Sequence, residues 1–341
     1  MSTEKEEQSN ISAADIGTSN GTMTKWEKWK RARAIRKIKR MFRAIDVLFR
    51  LPQNSCPYVN KYNRDTIFAQ NDIAYSDADE ICKLDFYRTK SEEKLPAIIL
   101  IHGGGFTAGD KKYRKGRSQF LALNGFAVFS INYGLAPKYT FPKPLEHVIT
   151  ASNFVYDNAE RFNIDAEKIF VGGDSAGAYY AAMLAAFNCT DKLRDAFGMA
   201  PKFKIFGALL NCGVYDIKAA FDKKMPLKID EGVILGLTGE RPEKLDTYRY
   251  AEVCSPIELV NKDFPPSFLI FSDNDIFCRG QGDLMVDKLN ESGAYCEYYS
   301  AHDANSNHCF SLTWNGEDAA AANELLLSFA IRLASDKIKL S

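Results

Sequence analysis

Residues 168–183 read KIFVGGDSAGAYYAAM, and this stretch decides how the rest of the chain is interpreted. It begins with an apolar run typical of a strand and ends in Ala, Tyr and Met, as a buried helix does. Between the two lies GDSAG at 173–177, a G-x-S-x-G sequence whose glycines permit a sharp turn from strand to helix. Such a turn lifts the hydroxyl of Ser175 above the sheet and directs the N–H of Ala176 toward negative charge beside it.

Apolar strand-like segments alternate with helical patterns along the rest of the chain. The strand-like segments are 71–75, 83–87, 97–102, 127–131, 169–171, 205–210, 268–271 and 295–299. The helical patterns are 117–123, 145–162, 176–187, 280–289 and 317–333. This alternation predicts an α/β fold, with a mostly parallel central sheet and helices on both of its faces.

The domain organisation follows from the segments that depart from this alternation. Residues 1–22 are polar and lack periodicity, which predicts a disordered tail. Residues 23–52 have the pattern of a basic amphipathic helix that ends at Leu51-Pro52. We expect one α/β domain at 53–341. Within it, 214–260 contains no strand-like run, which indicates an insertion over the carboxyl edge of the sheet, where such folds bind ligands.

The helix predicted at the N-terminal end carries an apolar stripe and a high positive charge. Residues 25–50 contain eleven basic and two acidic residues, and apolar residues recur between them at spacings of three and four. We expect the stripe to pack on the same chain, near the mouth of the active site. Membrane-surface contact by 25–51 is a less favoured alternative, suggested by Trp26 and Trp29 among the cations. Contact with a partner helix or a polyanion is the third interpretation.

Composition and charge indicate a soluble cytoplasmic protein. The 341 residues include 44 basic and 44 acidic side chains, so the whole chain is not a general nucleic-acid binder. Its eight cysteines include no CxxC pair, which favours free thiols in a reducing compartment over a disulfide framework or a zinc site. The polar start has no signal-peptide core, and no run of 18 apolar residues occurs. The sequence defines no oligomeric state.

A serine nucleophile needs a base, and the chain has four histidines. His102 ends a strand before three glycines, and His147 lies within a predicted helix. His302 and His308 lie in the loop after the last strand, from which a side chain can extend over Ser175. We favour His308, because His302 follows the strand almost at once and suits a surface loop.

The base needs a carboxylate that fixes its tautomer and stabilises the imidazolium. The strand at 268–271 ends in Ser-Asp-Asn-Asp, which offers Asp273 and Asp275. Both satisfy the chain order of serine, acid and histidine that this type of fold uses. Asp275 is the favoured triad acid, and Asp273 then has the ordinary role of a turn acceptor.

The sequence His102-Gly-Gly-Gly-Phe106 supplies the third part of the site. Three glycines after a strand allow the backbone to direct N–H groups at a reacting oxyanion. We expect Gly104, Gly105 and Ala176 to provide the donors of an oxyanion hole. A phosphate-binding loop is disfavoured, because no Gly-Lys-Ser/Thr follows and the G-x-G-x-x-G spacing is absent. His102 is expected to brace this loop.

Together these motifs resemble the hormone-sensitive-lipase-like branch of the α/β-hydrolases, which includes many carboxylesterases and acetyl esterases. The matching pieces are HGGGF at 102–106, NYGLAP at 132–137, FP at 141–142, GDSAG at 173–177, SP at 255–256, Asp275 and HCF at 308–310. The sequence departs from the family pattern at Gly134, where Arg is usual, at Lys138, where Glu is usual, and after Asp275, where Pro-Leu is usual.

The resemblance implies a Ser175–Asp275–His308 acyl hydrolase without metal or cofactor. It also implies that the catalytic domain at 53–341 carries a cap built from the N-terminal helix and the 214–260 insertion. We therefore expect a serine carboxylic-ester hydrolase that acts on small-molecule esters with short to medium acyl chains. Alternatives are an amide, formamide or peptide hydrolase with the same triad, a membrane-docked lipase, and a non-catalytic receptor of the hydrolase fold.

Overall fold

The computed structural model describes residues 24–54, 56–222 and 229–338. The tail expected at 1–22 lies outside the described residues. Within them, eight strands form one sheet in the order β1-β2-β4-β3-β5-β6-β7-β8. The strands are β1 Ile67–Ala74, β2 Lys83–Thr89, β3 Leu95–Ile101, β4 Ala127–Ile131, β5 Ile164–Asp174, β6 Gly207–Asn211, β7 Ser267–Ser272 and β8 Cys296–Ala301. Strand β2 pairs antiparallel with β1 and β4, and every other pairing is parallel.

Helices cover both faces of this sheet. They are α1 Lys25–Asn54, α2 Lys115–Leu123, α3 Lys143–Asp157, α4 Ala159–Phe162, α5 Ala176–Ala185, α6 Lys192–Phe197, α7 Ile217–Asp222, α8 Ile229–Thr238, α9 Gln281–Glu291 and α10 Glu317–Ala334. Along β3, Ile99 packs in the core that contains α3, α5 and α9, and Ile98 packs in the core beneath α2 and α10. Alternate residues therefore face opposite layers, and the predicted α/β fold with helices on both faces is confirmed.

Two helical boundaries differ from the sequence pattern. The single helix predicted at 145–162 is divided into α3 and α4 at Asn158, whose backbone N–H and side-chain amide both donate to the carbonyl of Phe154 (3.2 and 2.8 Å). Helix α1 continues through Pro52 to Asn54, two residues beyond the expected end.

The inner side of α1 packs against α8, which lies in the 214–260 insertion. Ile35, Ile38 and Phe42 are buried. At Gly232 in α8, an added Cβ would lie 2.0 Å from Cγ1 of Ile38, so the two helices approach very closely. No helix within the described ranges combines the length and apolarity needed to cross a membrane.

Candidate active site

The loop-free junction of β5 and α5 holds Ser175 in an uncommon conformation. Its backbone has φ 53° and ψ −122°, a region that costs a non-glycine residue of the order of 1–3 kcal/mol. Two hydrogen bonds hold it there. The Ser175 N–H donates to the carbonyl of Asn211 (2.8 Å), and the N–H of Tyr179 donates to the Ser175 carbonyl (3.1 Å). The strand-to-helix turn therefore has the backbone geometry that the sequence predicts for a nucleophile elbow.

Close packing explains the second glycine of the elbow. A Cβ added at Gly177 would lie 2.1 Å from the carbonyl oxygen of Ile101, at the end of the neighbouring strand β3. Any side chain there would move α5 away from the sheet. The absence of a side chain at Gly177 therefore keeps Ser175 beside the His102–Phe106 loop, which directly follows β3.

The structure brings His308 and Asp275 together. The Nδ1 atom of His308 lies 2.8 Å from Oδ2 and 2.9 Å from Oδ1 of Asp275. Their side chains are 13% and 1% exposed. The N–H groups of Phe277 and Cys278 each donate to Oδ1 at 2.8 Å, which fixes the carboxylate. An acceptor at Nδ1 favours the tautomer whose Nε2 can accept a proton.

The two groups shift each other's pKa in opposite directions. Burial alone would raise the pKa of Asp275, but the His308 charge, its hydrogen bond and the two backbone N–H donors outweigh burial and lower the pKa. For His308, burial would lower the pKa, but the Asp275 carboxylate outweighs it and raises the pKa well above the ordinary value. The pair therefore favours the imidazolium that forms when a base takes a proton.

The remaining histidine and aspartate candidates form other contacts. His302 Nδ1 contacts Asp273 Oδ2 at 2.7 Å, and both side chains are largely exposed (74% and 51%). His147 Nδ1 accepts from the N–H of Gly134 (3.0 Å), and so it braces the loop before α3. His102 is buried, its ring stacks on Tyr133, and burial lowers its pKa to about 4. A neutral, enclosed ring suits the bracing role expected for His102.

The expected oxyanion donors lie around Ser175. Gly105 and Ala176 line the same cavity as Ser175, and Gly104 directly precedes Gly105 in the glycine loop. Among the described residues, no group accepts a hydrogen bond from the backbone N–H of Gly104, Gly105 or Ala176. Phe106, with φ 62°, turns the chain back at the end of this loop. Backbone donors without partners beside a nucleophile are suited to bind a developing negative charge.

The cavity above Ser175 is small and apolar. Its volume is about 30 Å³, and Phe42, Phe106, Val233 and Phe277 contribute to its walls. Phe42 comes from α1 and Val233 from α8, so both segments outside the sheet reach the cavity. The Phe277 ring bridges them to the acid–base pair, at centroid distances of 5.7 Å from Phe42 and 5.0 Å from His308.

The sequence did not reveal the partner of Asp174, the residue that precedes Ser175. Arg114 donates to both of its carboxylate oxygens at 2.5 Å, and the side chains are 4% and 5% exposed. The same carboxylate accepts from the N–H of Gly103 (3.1 Å). This pair therefore ties the turn before α2, the elbow and the glycine loop together. A carboxylate directly after the buried run 169–173 was the available signal, because such a charge needs a partner.

Three thiols surround the acid–base pair. All eight cysteines of the chain are free. Ligand atoms of Cys212, His308 and Cys309 lie within 4.8 Å of one another, as do those of Asp275, Cys278 and His308. Soft metal ions prefer such donors, but both sets use His308, so an ion there would compete with proton transfer.

Comparison with known proteins agrees with this architecture. The BD-FAE family model matches residues 84–289. The putative alpha/beta hydrolase R526 of Acanthamoeba polyphaga mimivirus is 26% identical over 60% of the chain and 58% of its own length. Esterase LipQ of Mycobacterium tuberculosis is 27% identical over 75% of the chain and 61% of its own length. The chain thus spans about three fifths of the length of these curated relatives.

Solved structures extend the likeness to nearly the whole chain. Esterase B from Lactobacillus rhamnosis superposes with a TM-score of 0.77 at 18% identity, over 91% of this chain and 98% of that one. A bacterial heroin esterase gives a TM-score of 0.69 at 22% identity, over 88% and 93% of the two chains. At these identities the likeness shows the α/β-hydrolase fold.

Proposed function

This chain belongs to the BD-FAE family, and from that membership and the geometry at Ser175 we propose that it is a serine hydrolase of carboxylic esters. The observation that carries the proposal is the strained Ser175, which opens on an apolar cavity beside backbone N–H groups without acceptors. The buried pair of His308 and Asp275 supplies the base that a serine nucleophile requires. Esterase names among the relatives support the same reaction class.

The reaction proceeds through an acyl-enzyme. The Ser175 oxygen attacks the ester carbonyl while His308 Nε2 takes the hydroxyl proton, and the carbonyl oxygen becomes an oxyanion held by the N–H groups of Gly104, Gly105 and Ala176. The oxyanion collapses, the C–O bond to the alcohol breaks, and His308 returns the proton to the departing alcohol. Water then attacks the acyl group with His308 again as base, and releases the acid and free Ser175.

One adjustment precedes the first step. Among the described residues, the Ser175 hydroxyl has no hydrogen-bond partner in the structure. Its proton transfer therefore requires the hydroxyl to turn toward the His308 ring, whose orientation Asp275 already fixes. Catalytic hydrogen bonds are often long without substrate and shorten when substrate binds.

The substrate is a small-molecule ester, and its acyl group is short. A cavity of about 30 Å³ has room for roughly two water-sized groups. Longer acyl chains would have to displace the aromatic walls. Of these walls, Phe42 lies in α1 and Val233 in the 214–260 insertion, and we assign these two segments to a cap over the cavity.

A series of p-nitrophenyl esters from acetate to octanoate tests this acyl preference. We expect kcat/KM to be highest for acetate or butyrate. Phe42→Ala should raise the octanoate-to-acetate ratio of kcat/KM, because it removes a wall of the cavity. Val47→Ala, at a position of α1 that is 65% exposed, is the control and should leave this ratio unchanged. An unchanged ratio for Phe42→Ala would contradict the cap assignment.

Substitution of the triad tests the mechanism itself. Ser175→Ala should abolish p-nitrophenyl acetate turnover by the enzyme. Asp275→Asn should lower kcat by about 10⁴-fold, because Asn favours the wrong tautomer of His308. Asp273→Asn is the matched control and should retain kcat, because Asp273 contacts the exposed His302. The opposite order of the two Asn variants would exchange the roles of the aspartates.

The free thiols suit a reducing compartment, and we place the enzyme in the cytoplasm on that ground. The mechanism uses side chains and backbone groups of this chain at each step. It does not invoke a nucleic-acid partner.

A further inference from the structure

Helix α1 has a second face that is exposed to solvent. Its inner face is buried, with Ile35 against Ala136 and Leu235, and Ile38 and Phe42 against Ala108. An α-helix turns by about 100° per residue, so positions two residues from Ile35 and Phe42 lie about opposite to them. The exposed side chains on that opposite face are Trp26, Trp29, Lys30, Arg33, Arg36, Lys37 and Arg40. The outer face is therefore cationic and aromatic over its N-terminal half.

The two tryptophans form a defined unit with the cations. Trp26 and Trp29 are 59% and 44% exposed, and their rings stack at 5.0 Å and 6°. Lys30 lies over the Trp26 ring at 5.0 Å, and Arg33 lies over the Trp29 ring at 5.3 Å. Ring faces that are already covered offer little to a nucleic-acid base, whereas the exposed indole edges suit the headgroup region of a bilayer.

Four cations of this face lie outside the ion pairs of the described residues. Among the described residues, no ion pair is formed by Lys30, Arg33, Arg36 or Arg40. Residues 25–50 contain eleven basic and two acidic residues in a chain whose basic and acidic totals are both 44. An exposed helical face with several cations and no acidic residue among the exposed side chains that the structure describes there is complementary to anionic lipid.

We propose that the outer face of α1 binds the surface of an anionic bilayer and holds the enzyme against it. Binding is peripheral, since the inner face of the same helix remains packed on α8. Phe42 on that inner face lines the cavity beside Ser175, so the docked helix is also a wall of the site. If the proposed ester hydrolysis holds, this arrangement favours esters that partition into the bilayer surface.

Co-sedimentation of the full chain with vesicles tests the docking step. The vesicles contain either phosphatidylcholine alone or phosphatidylcholine with 30% phosphatidylglycerol, by mole. We expect binding to the anionic vesicles only, and weaker binding at high salt. Each Lys or Arg near an anionic surface contributes about fivefold to affinity, so removal of four should weaken binding by roughly 10²- to 10³-fold.

The test variant carries Lys30→Gln, Arg33→Gln, Arg36→Gln and Arg40→Gln. A control with the same loss of charge carries Lys94→Gln, Lys112→Gln, Lys202→Gln and Lys218→Gln, at side chains that are 51%, 58%, 54% and 65% exposed elsewhere on the surface. The control should lose far less affinity than the test variant. A Trp26→Ala/Trp29→Ala variant should also bind more weakly. Circular dichroism checks that this variant and the four-residue test variant remain folded.

Three results would overturn the proposal. They are no binding of the wild type to anionic vesicles, an equal loss in the test and control variants, and binding of the outer face to RNA without vesicle binding. Ser175→Ala should bind vesicles as the wild type does, because docking requires no catalysis. The docking proposal and the ester hydrolase proposal can therefore fail separately.

Discussion

The buried pair of Asp174 and Arg114 offers a quantitative test of how the site is held together. Asp174→Ala removes the carboxylate that accepts two hydrogen bonds from Arg114 at 2.5 Å and one from the N–H of Gly103 at 3.1 Å. The Arg114 side chain is 4% exposed, so its charge would lose this carboxylate without gaining much contact with water. Breaking one side of a buried pair typically costs about 3–5 kcal/mol.

The control is the exposed pair of Asp157 and Lys202. Its nitrogen–oxygen distance is also 2.5 Å, but its side chains are 44% and 54% exposed. Solvent screening reduces the contribution of such exposed pairs to about 0–1 kcal/mol. Asp157→Ala should therefore lower the free energy of unfolding by at most about 1 kcal/mol. The double variant Asp174→Leu/Arg114→Met should be more stable than Asp174→Ala, because it removes the buried Arg114 charge together with its carboxylate partner.

Urea unfolding followed by tryptophan fluorescence measures these differences, since the chain contains three tryptophans. Asp174→Ala should also lower kcat more than it raises KM, because Gly103 loses the acceptor that holds the glycine loop. Equal destabilisation by Asp174→Ala and Asp157→Ala would refute the reasoning, as would a double variant less stable than Asp174→Ala.

Two further predictions concern the chemistry. Gly104 has φ +135°, and a Cβ there would lie 2.1 Å from a backbone carbonyl, so Gly104→Ala should lower kcat/KM by about 10²–10³-fold through a displaced oxyanion donor. Gly125→Ala, where nothing lies within 4 Å, should leave kcat/KM near the wild-type value, and equal losses would contradict the assignment. In a pH profile, kcat/KM should rise with pH as His308 loses its proton, and the midpoint should lie above the ordinary histidine value, because Asp275 raises the pKa of His308. A midpoint at or below that value would contradict this coupling.

The sequence defined the elements whose local pattern is strong. The strand before Ser175, the elbow and the alternation of strands and helices all follow from short-range rules on glycine and apolar spacing. The prediction that a parallel sheet is covered on both faces is confirmed. The structure also places His308 beside Asp275 and His302 beside Asp273, a pairing that residue order alone left open.

Long-range and side-chain effects lay beyond the local patterns. The division of the helix predicted at 145–162 into α3 and α4, and the extension of α1 to Asn54, were not indicated by the apolar spacing. The partnership of Arg114 with Asp174 joins residues from two elements whose sequences give no sign of each other. The sequence predicts an apolar stripe and intervening cations on α1, whereas its packing against α8 and the stacking of Trp26 on Trp29 required the three-dimensional positions of the side chains.

The central claim is that Ser175 is a nucleophile activated by His308. Intact-mass measurement after treatment with a fluorophosphonate probe tests it most directly. We expect one phosphonyl adduct per wild-type chain, located on the peptide that contains Ser175, much slower labelling of His308→Gln, and no adduct on Ser175→Ala. Labelling of Ser175→Ala at the wild-type rate would contradict the account.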